Sequence, residues 1–177
     1  MKQVMVMRHA DAEWSGAAKG DHARHLSDKG RADAKAMGDF MAASGMAPDV
    51  VYCSSAQRTR ETLDLILPAL KEKSQQESPE KPQVLLEEGL YNADEPALLN
   101  FVLSGPPEAD SLLLLAHNPG VHGFALGLLS EVEAGVGAHA LSEGYPPGTL
   151  SVFSFDVESW ADVAPHTGAL THCHAPA

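Results

Sequence analysis

Cysteine is scarce in this chain of 177 residues: Cys53 and Cys173 are the only two, and they form no CxxC pair. Reduced thiols are the expected state, and a disulfide framework is not. Positive charge is scarce as well, with 12 Lys and Arg against 24 Asp and Glu and a formal net charge of −12. Binding nucleic acid needs a basic face, so no nucleic-acid partner is expected. No apolar run is long enough to span a bilayer. The start, Met1 to Arg8, lacks the basic-then-apolar layout of a signal peptide, so a cytoplasmic location without membrane attachment is expected.

What is present is an ordinary globular balance, 44% hydrophobic and 20% charged residues. The length suits one domain over residues 1–177 with a proper core, ending in a Pro- and His-rich tail expected to be disordered from about residue 171. Because positive charge is rare, each arginine is informative. An acidic molecule that still binds phosphate must concentrate its cations in a pocket, where they act at short range.

Hydrophobic patterning alternates between short apolar runs and helical periods. Gln3 to Met7 is a buried first strand that stops at Arg8-His9. A loop from about Ala10 to Leu26 precedes a helix capped by Ser27 or Asp28, with Ala32, Ala36, Met37, Phe40 and Met41 on one face and Gly45 as its stop. Asp49 to Cys53 is a second strand ending at Ser54-Ser55. The next helix, about Gln57 to Lys73, contains Pro68, which is expected to kink or shorten it. Residues 73–81 read as a polar surface excursion. Val84 to Leu86 is a third strand, and Asp94 caps a helix through Val102. Ser111 to Ala116 is the most apolar run and ends at His117-Asn118-Pro119. A helix from about Val121 to Leu129, a Gly-rich loop to Gly148, a strand from Thr149 to Phe155 and a last strand near Val163 to Leu170 complete the chain.

Apolar strands alternating with helices imply a mainly parallel sheet covered on both faces, a three-layer α/β/α sandwich. Ligands of such sheets bind beyond the carboxyl ends of the strands. Three strands here end in Arg8-His9, in Ser54-Ser55 ahead of Arg58, and in His117. A neutral imidazole held at one ring nitrogen can present the other to phosphorus. Guanidinium forks match phosphate oxygens, and the amides at the start of the Gln57 helix favour an anion.

Four stretches resemble the histidine phosphatase superfamily, also called phosphoglycerate mutase-like. They are Arg8-His9-Ala10, Ser54-Ser55-Ala56-Gln57-Arg58 with Thr62, His117-Asn118-Pro119-Gly120, and Asp21-His22-Ala23-Arg24-His25-Leu26-Ser27-Asp28-Lys29-Gly30. The last is similar to the SixA-type phosphohistidine phosphatases, with His25 standing where that branch usually has Pro. The resemblance implies a phosphoglycerate mutase-like fold, His9 as nucleophile, and Arg8, Arg58 and His117 around the phosphate, with Arg24 at the rim. It implies no cofactor and no metal. Glu88, in Leu86-Glu87-Glu88-Gly89, is the positional candidate for a general acid. Asn118 occupies the place where another branch carries Asp. A missing acid favours an activated N-phosphate, because a protonated imidazole leaves without further help whereas an alkoxide does not.

The expected substrate is therefore a phosphorylated protein, specifically phosphohistidine. A small-molecule phosphatase or mutase acting on a sugar phosphate would use the same residues plus a working acid, and a non-catalytic phosphate-binding module would use the pocket alone. A zinc site from His22 and His25, or from His166, His172, Cys173 and His174, matches no standard spacing. Arg60 reads as a surface ion-pair residue, and Trp14 and Trp160 as packing residues. The sequence leaves the oligomeric state open.

Overall fold

The computed structural model of the chain describes residues 1–14, 19–74, 82–130 and 136–177. One six-stranded sheet, ordered β3-β2-β4-β1-β5-β6, forms its centre. β1 (Lys2–Arg8), β2 (Val50–Ser54), β3 (Gln83–Glu87) and β4 (Ser111–Ala116) run parallel to their neighbours, whereas β5 (Leu150–Phe155) and β6 (Ala169–His174) add antiparallel pairs.

Helices cover both faces. α1 (Asp28–Ala43) and α2 (Gln57–Ser74) pack Met37, Met41, Leu63, Ile66 and Leu70 against Met5, Met7, Val51 and Leu113. Across the sheet, α3 (Glu95–Leu103), α4 (Gly120–Leu128) and α5 (Val136–Glu143) bury Leu98, Val102, Val121, Phe124 and Leu141 against Val4, Val6, Leu112 and Phe153. The alternation of β1 and β4 side chains between two helical layers explains why both strands are apolar throughout.

Local chemistry sets the element ends. Ser27 is the cap of α1, its hydroxyl accepting from the Gly30 amide at 2.9 Å, and Asp94 caps α3 by accepting from Ala97 at 3.0 Å. Pro68 neither ends nor shortens α2, which runs on to Ser74. Its ring is exposed, on the side where water can reach the carbonyl that its missing amide leaves unpaired.

Four expectations change. The Gly-rich stretch before Gly148 contains α5, held by the buried Leu141. The last strand lies at Ala169–His174 instead of 163–170. His172 and His174 belong to this edge strand, so the end of the chain is ordered pairing from 169 to 174 and not a loose tail from 171. Trp14 is 87% exposed and packs into no core, unlike Trp160, whose indole is buried and donates to Pro106 O and Ala109 O at 3.0 Å each. The excursion read at 73–81 falls, from residue 75 on, outside the described residues. Among the described residues, no helix is long and apolar enough to cross a membrane.

Candidate active site

β1 and β4 are adjacent and in register, Arg8 opposite Ala116, so the residues that follow them, His9 and His117, leave the sheet side by side. Their ring centroids are 5.2 Å apart. β2 lies on the other side of β4 and delivers Ser54, after which the chain turns into α2 and places Arg58 in its first turn. Thr59 locks that turn by donating to Ser54 O at 2.8 Å and Ala56 O at 2.7 Å. Thr62 Oγ1 accepts from the Ala10 amide at 3.1 Å, which ties α2 to the segment after β1. Arg8, His9, Arg24, Arg58 and His117 thus line one cavity of about 460 Å³.

His9 is 7% exposed. Its Nδ1 lies 2.7 Å from Ala10 O, so Nδ1 carries the ring hydrogen and donates to that carbonyl. Nε2 is left as the lone-pair nitrogen, and it accepts from Arg58 Nε at 3.2 Å. Burial first, then the charges of Arg58, Arg8 and Arg24, press the His9 pKa down to about 4. At neutral pH the ring is a neutral base with a fixed tautomer.

His117 Nε2 lies 2.7 Å from Ser54 Oγ, which also accepts from the Ala56 amide at 3.3 Å. The Ser54 hydroxyl is therefore free to donate to Nε2, an assignment that puts the His117 hydrogen on Nδ1. That atom is buried without a protein partner, as is Arg8 Nε. Burial, then the neighbouring His9 and Arg58, lower the His117 pKa to about 3. Two polar atoms buried without a protein partner carry a desolvation cost.

The cations are held by named acceptors. Arg8 Nη1 donates to Tyr145 O at 3.0 Å, and burial lowers its pKa. Asn118 Nδ2 donates to the same Tyr145 oxygen at 3.0 Å, while Tyr145 Oη anchors to Val6 O at 2.7 Å. Gly148, at φ 82°, donates its amide to His9 O at 2.9 Å. Arg24 packs its guanidinium 5.6 Å from the Trp14 ring centroid, with Nε donating to Glu13 O at 2.9 Å.

Asp21 and Tyr91 belong to the cavity, although sequence reasoning gave them no role. The Tyr91 hydroxyl donates to Asp21 Oδ2 at 2.5 Å. That bond, then those from Arg24 and Arg58, hold the Asp21 pKa at about 2 despite some desolvation. Glu88 does not join them. It sits exposed in a 3-10 turn, Glu88–Leu90, and does not line the cavity. The carboxylates that do are Asp11, Asp21 and Asp94. Among the described residues, no cluster of three His, Cys, Asp or Glu side chains is arranged to hold a metal ion.

Comparison with known proteins agrees with this architecture. A 2,3-bisphosphoglycerate-dependent phosphoglycerate mutase of Nocardia farcinica is 35% identical over 68 residues, covering 37% of this chain and 28% of the mutase. An uncharacterised protein of Mycobacterium tuberculosis strain H37Rv is 29% identical over 175 residues, 96% of this chain and 99% of its own. Among solved structures, a Nakamurella multipartitia protein provisionally named phosphohistidine phosphatase SixA superposes with a TM-score of 0.81 at 27% identity, covering 99% and 96% of the two chains. A protein histidine phosphatase SixA solved with tungstate shares the fold at a TM-score of 0.74 and 19% identity, over 98% and 97% of the chains. The model for the histidine phosphatase superfamily, branch 1, matches residues 4–80, the stretch that runs from β1 through His9 and Arg58. By this match and by the shared fold, the chain is similar to the histidine phosphatase superfamily over the stretch that carries β1, His9 and Arg58.

Proposed function

We propose that the protein is a phosphatase that passes a phosphoryl group through His9 and acts on phosphohistidine in a protein partner. The observation that carries this reading is the arrangement at His9: Nδ1–H is committed to Ala10 O, and Nε2 faces the cavity beside Arg58. In the first step Nε2 attacks phosphorus as the bond from phosphorus to the substrate nitrogen breaks. The departing imidazole leaves neutral when it is protonated. In the second step water attacks phosphorus, inorganic phosphate leaves and His9 regains its lone pair. Arg8, Arg58 and His117 stabilise the three outer oxygens, on which charge concentrates. Arg24 holds the rim.

The carboxylates support an activated substrate. Asp21 is ionised at neutral pH and accepts from Tyr91, Arg24 and Arg58. Asp11 accepts from Ser27 Oγ at 2.6 Å, and Asp94 caps α3. With these three committed as acceptors and Glu88 outside the cavity, an N-phosphate suits the site better than an alkyl phosphate. The name of the Nakamurella multipartitia relative supports the same substrate class.

The test is phosphate release from a phosphohistidine peptide with chelator present. The unmodified chain should turn over and form an acid-labile phosphoenzyme, and His9→Ala should do neither. Turnover by His9→Ala, or a strong preference for sugar phosphates, overturns the reading.

A further inference from the structure

The charge of this chain is divided sharply. All twelve Lys and Arg lie at or before Lys81 together with twelve carboxylates, so residues 82–177 contain twelve Asp and Glu, no Lys or Arg, and the whole net charge of −12. The fold turns that division into a spatial one. α1 and α2, from the balanced part, cover one face of the sheet, and α3, α4 and α5, from the acidic part, cover the other.

The acidic layer holds an apolar groove. Pro96 and Leu99 of α3 face Phe124, Gly127 and Leu128 of α4 across a hollow of about 260 Å³, which Pro165, His166 and Glu95 also line. Glu95 reaches α4 because Gly123 has no side chain: a Cβ there would lie 2.1 Å from Glu95 Oε1. The groove lies beside the phosphate cavity: Asp94 lines the cavity and the next residue, Glu95, lines the groove.

We infer that this groove holds the polypeptide flanking the phosphorylated residue of the partner, and that the flanking stretch carries Lys or Arg beside one apolar anchor. The inference rests on reading the cavity as a protein phosphohistidine phosphatase. The apolar walls take the anchor, because burying such a side chain is favourable wherever water leaves both surfaces. The surrounding field, with no Lys or Arg to oppose it between residues 82 and 177, draws basic segments in and turns acidic ones away. Exposed ion pairs are individually weak, so the anchor supplies affinity while charge governs encounter and selection.

Three probes test this on the full chain: phosphoramidate, a phosphohistidine peptide flanked by two Lys and a Leu, and a matched peptide flanked by two Glu and a Ser. The basic peptide should exceed the acidic one in kcat/KM by about tenfold at low salt, and the gap should narrow as salt screens the field. Gly127→Phe fills the groove, and a Cβ at that position meets nothing within 4 Å. It should lower the ratio of kcat/KM for the basic peptide to that for phosphoramidate by about tenfold, mainly through KM. Glu95→Gln, which keeps the shape of the lining, should narrow the gap between the two peptides. Equal rates for the two peptides, or an unchanged ratio in a Gly127→Phe protein with native circular dichroism, overturns the groove assignment while phosphoramidate hydrolysis persists. Failure of the unmodified chain on all three probes overturns the phosphatase reading and the groove with it.

Discussion

Asp21 grips Arg58 twice. Its backbone carbonyl accepts from Arg58 Nη1 at 2.8 Å and its carboxylate accepts from Nη2 at 3.1 Å, while the third guanidinium nitrogen, Nε, rests on His9 Nε2. The flexible arginine is thereby fixed over the proposed nucleophile, and the Asp21 carboxylate is itself fixed by Tyr91 and Arg24. Asp21→Ala should loosen Arg58 and cut kcat/KM on phosphoramidate by about tenfold, the scale of one lost charge-assisted hydrogen bond. Tyr91→Phe should have a smaller effect in the same direction. Steady-state kinetics of the two variants check this, and wild-type values for Asp21→Ala contradict it.

Removing a donor aimed at the transferring phosphoryl should cost far more. Arg58→Ala is expected to lower kcat by about 10²-fold to 10³-fold, as loss of a preorganised oxyanion donor does elsewhere. Glu88→Gln should leave the same assay within the scatter of wild type, because Glu88 is exposed and outside the cavity.

The pH profile should show where His9 gains its proton. With a pKa of about 4, its lone pair is available through the weakly acidic range and is lost as pH falls through that value. The acid limb of kcat/KM attributable to the enzyme is therefore expected near pH 4, after the titration of the substrate phosphate is measured separately. Arg58→Gln, which removes a lowering charge but not the burial, should move the limb to higher pH. A limb near the ordinary histidine value of 6.5 in the unmodified protein would contradict the burial of His9 as described.

Stability should follow the same groups with a definite sign. Unfolded, His9 and His117 bind protons from about pH 6.5 downward, whereas folded they decline them until about 4 and about 3. The unfolded chain thus binds more protons across that window, and folding stability falls as pH drops through it. Asp21 adds to the fall only lower, from its ordinary 3.8 to about 2. Thermal melts from pH 7 to pH 4 should show Tm decreasing, and the decrease should shrink in a His9→Gln, His117→Gln protein. Equal slopes for the two proteins would count against the proton refusal.

Two helical glycines should respond oppositely to alanine. A Cβ on Gly30 would sit 2.0 Å from Asp11 O, the carbonyl that accepts from the Ser27 amide at 3.0 Å. Gly30→Ala should destabilise by about 1–3 kcal/mol as the first turn of α1 is forced away. Gly127→Ala meets no atom and should stabilise by about 0.5 kcal/mol through helix propensity. Urea unfolding of both variants measures the contrast.

The placement of Arg8, His9, Arg58 and His117 was legible because apolar runs stop abruptly at strand ends, and parallel topology brings those ends together. Arg24 was legible only through the Asp21 to Gly30 motif. Asp21 heads that motif and could have been singled out there. Its bond to Tyr91 spans 70 positions, a closure that no local pattern encodes. Glu88 stands out in the sequence only by its order along the chain. A single 3-10 turn leaves it in solvent and brings Tyr91 to the cavity instead. The helix α5 was hidden by its glycine-rich flanks, and β6 by the polar Thr171, His172 and His174 of an exposed edge. Propensity at those places is overruled by contacts with α4 and β5.

β1 and β4 are the two central strands of the sheet, each hydrogen-bonded on both sides, and Arg8, His9 and His117 sit at their ends. Amide protons there should exchange with solvent only when the whole molecule opens. The proposed catalytic groups are therefore fastened to the strands expected to melt last, whereas β3, β6 and the loops at the rim can fray or diverge first. Turnover should persist up to the global transition and vanish with it.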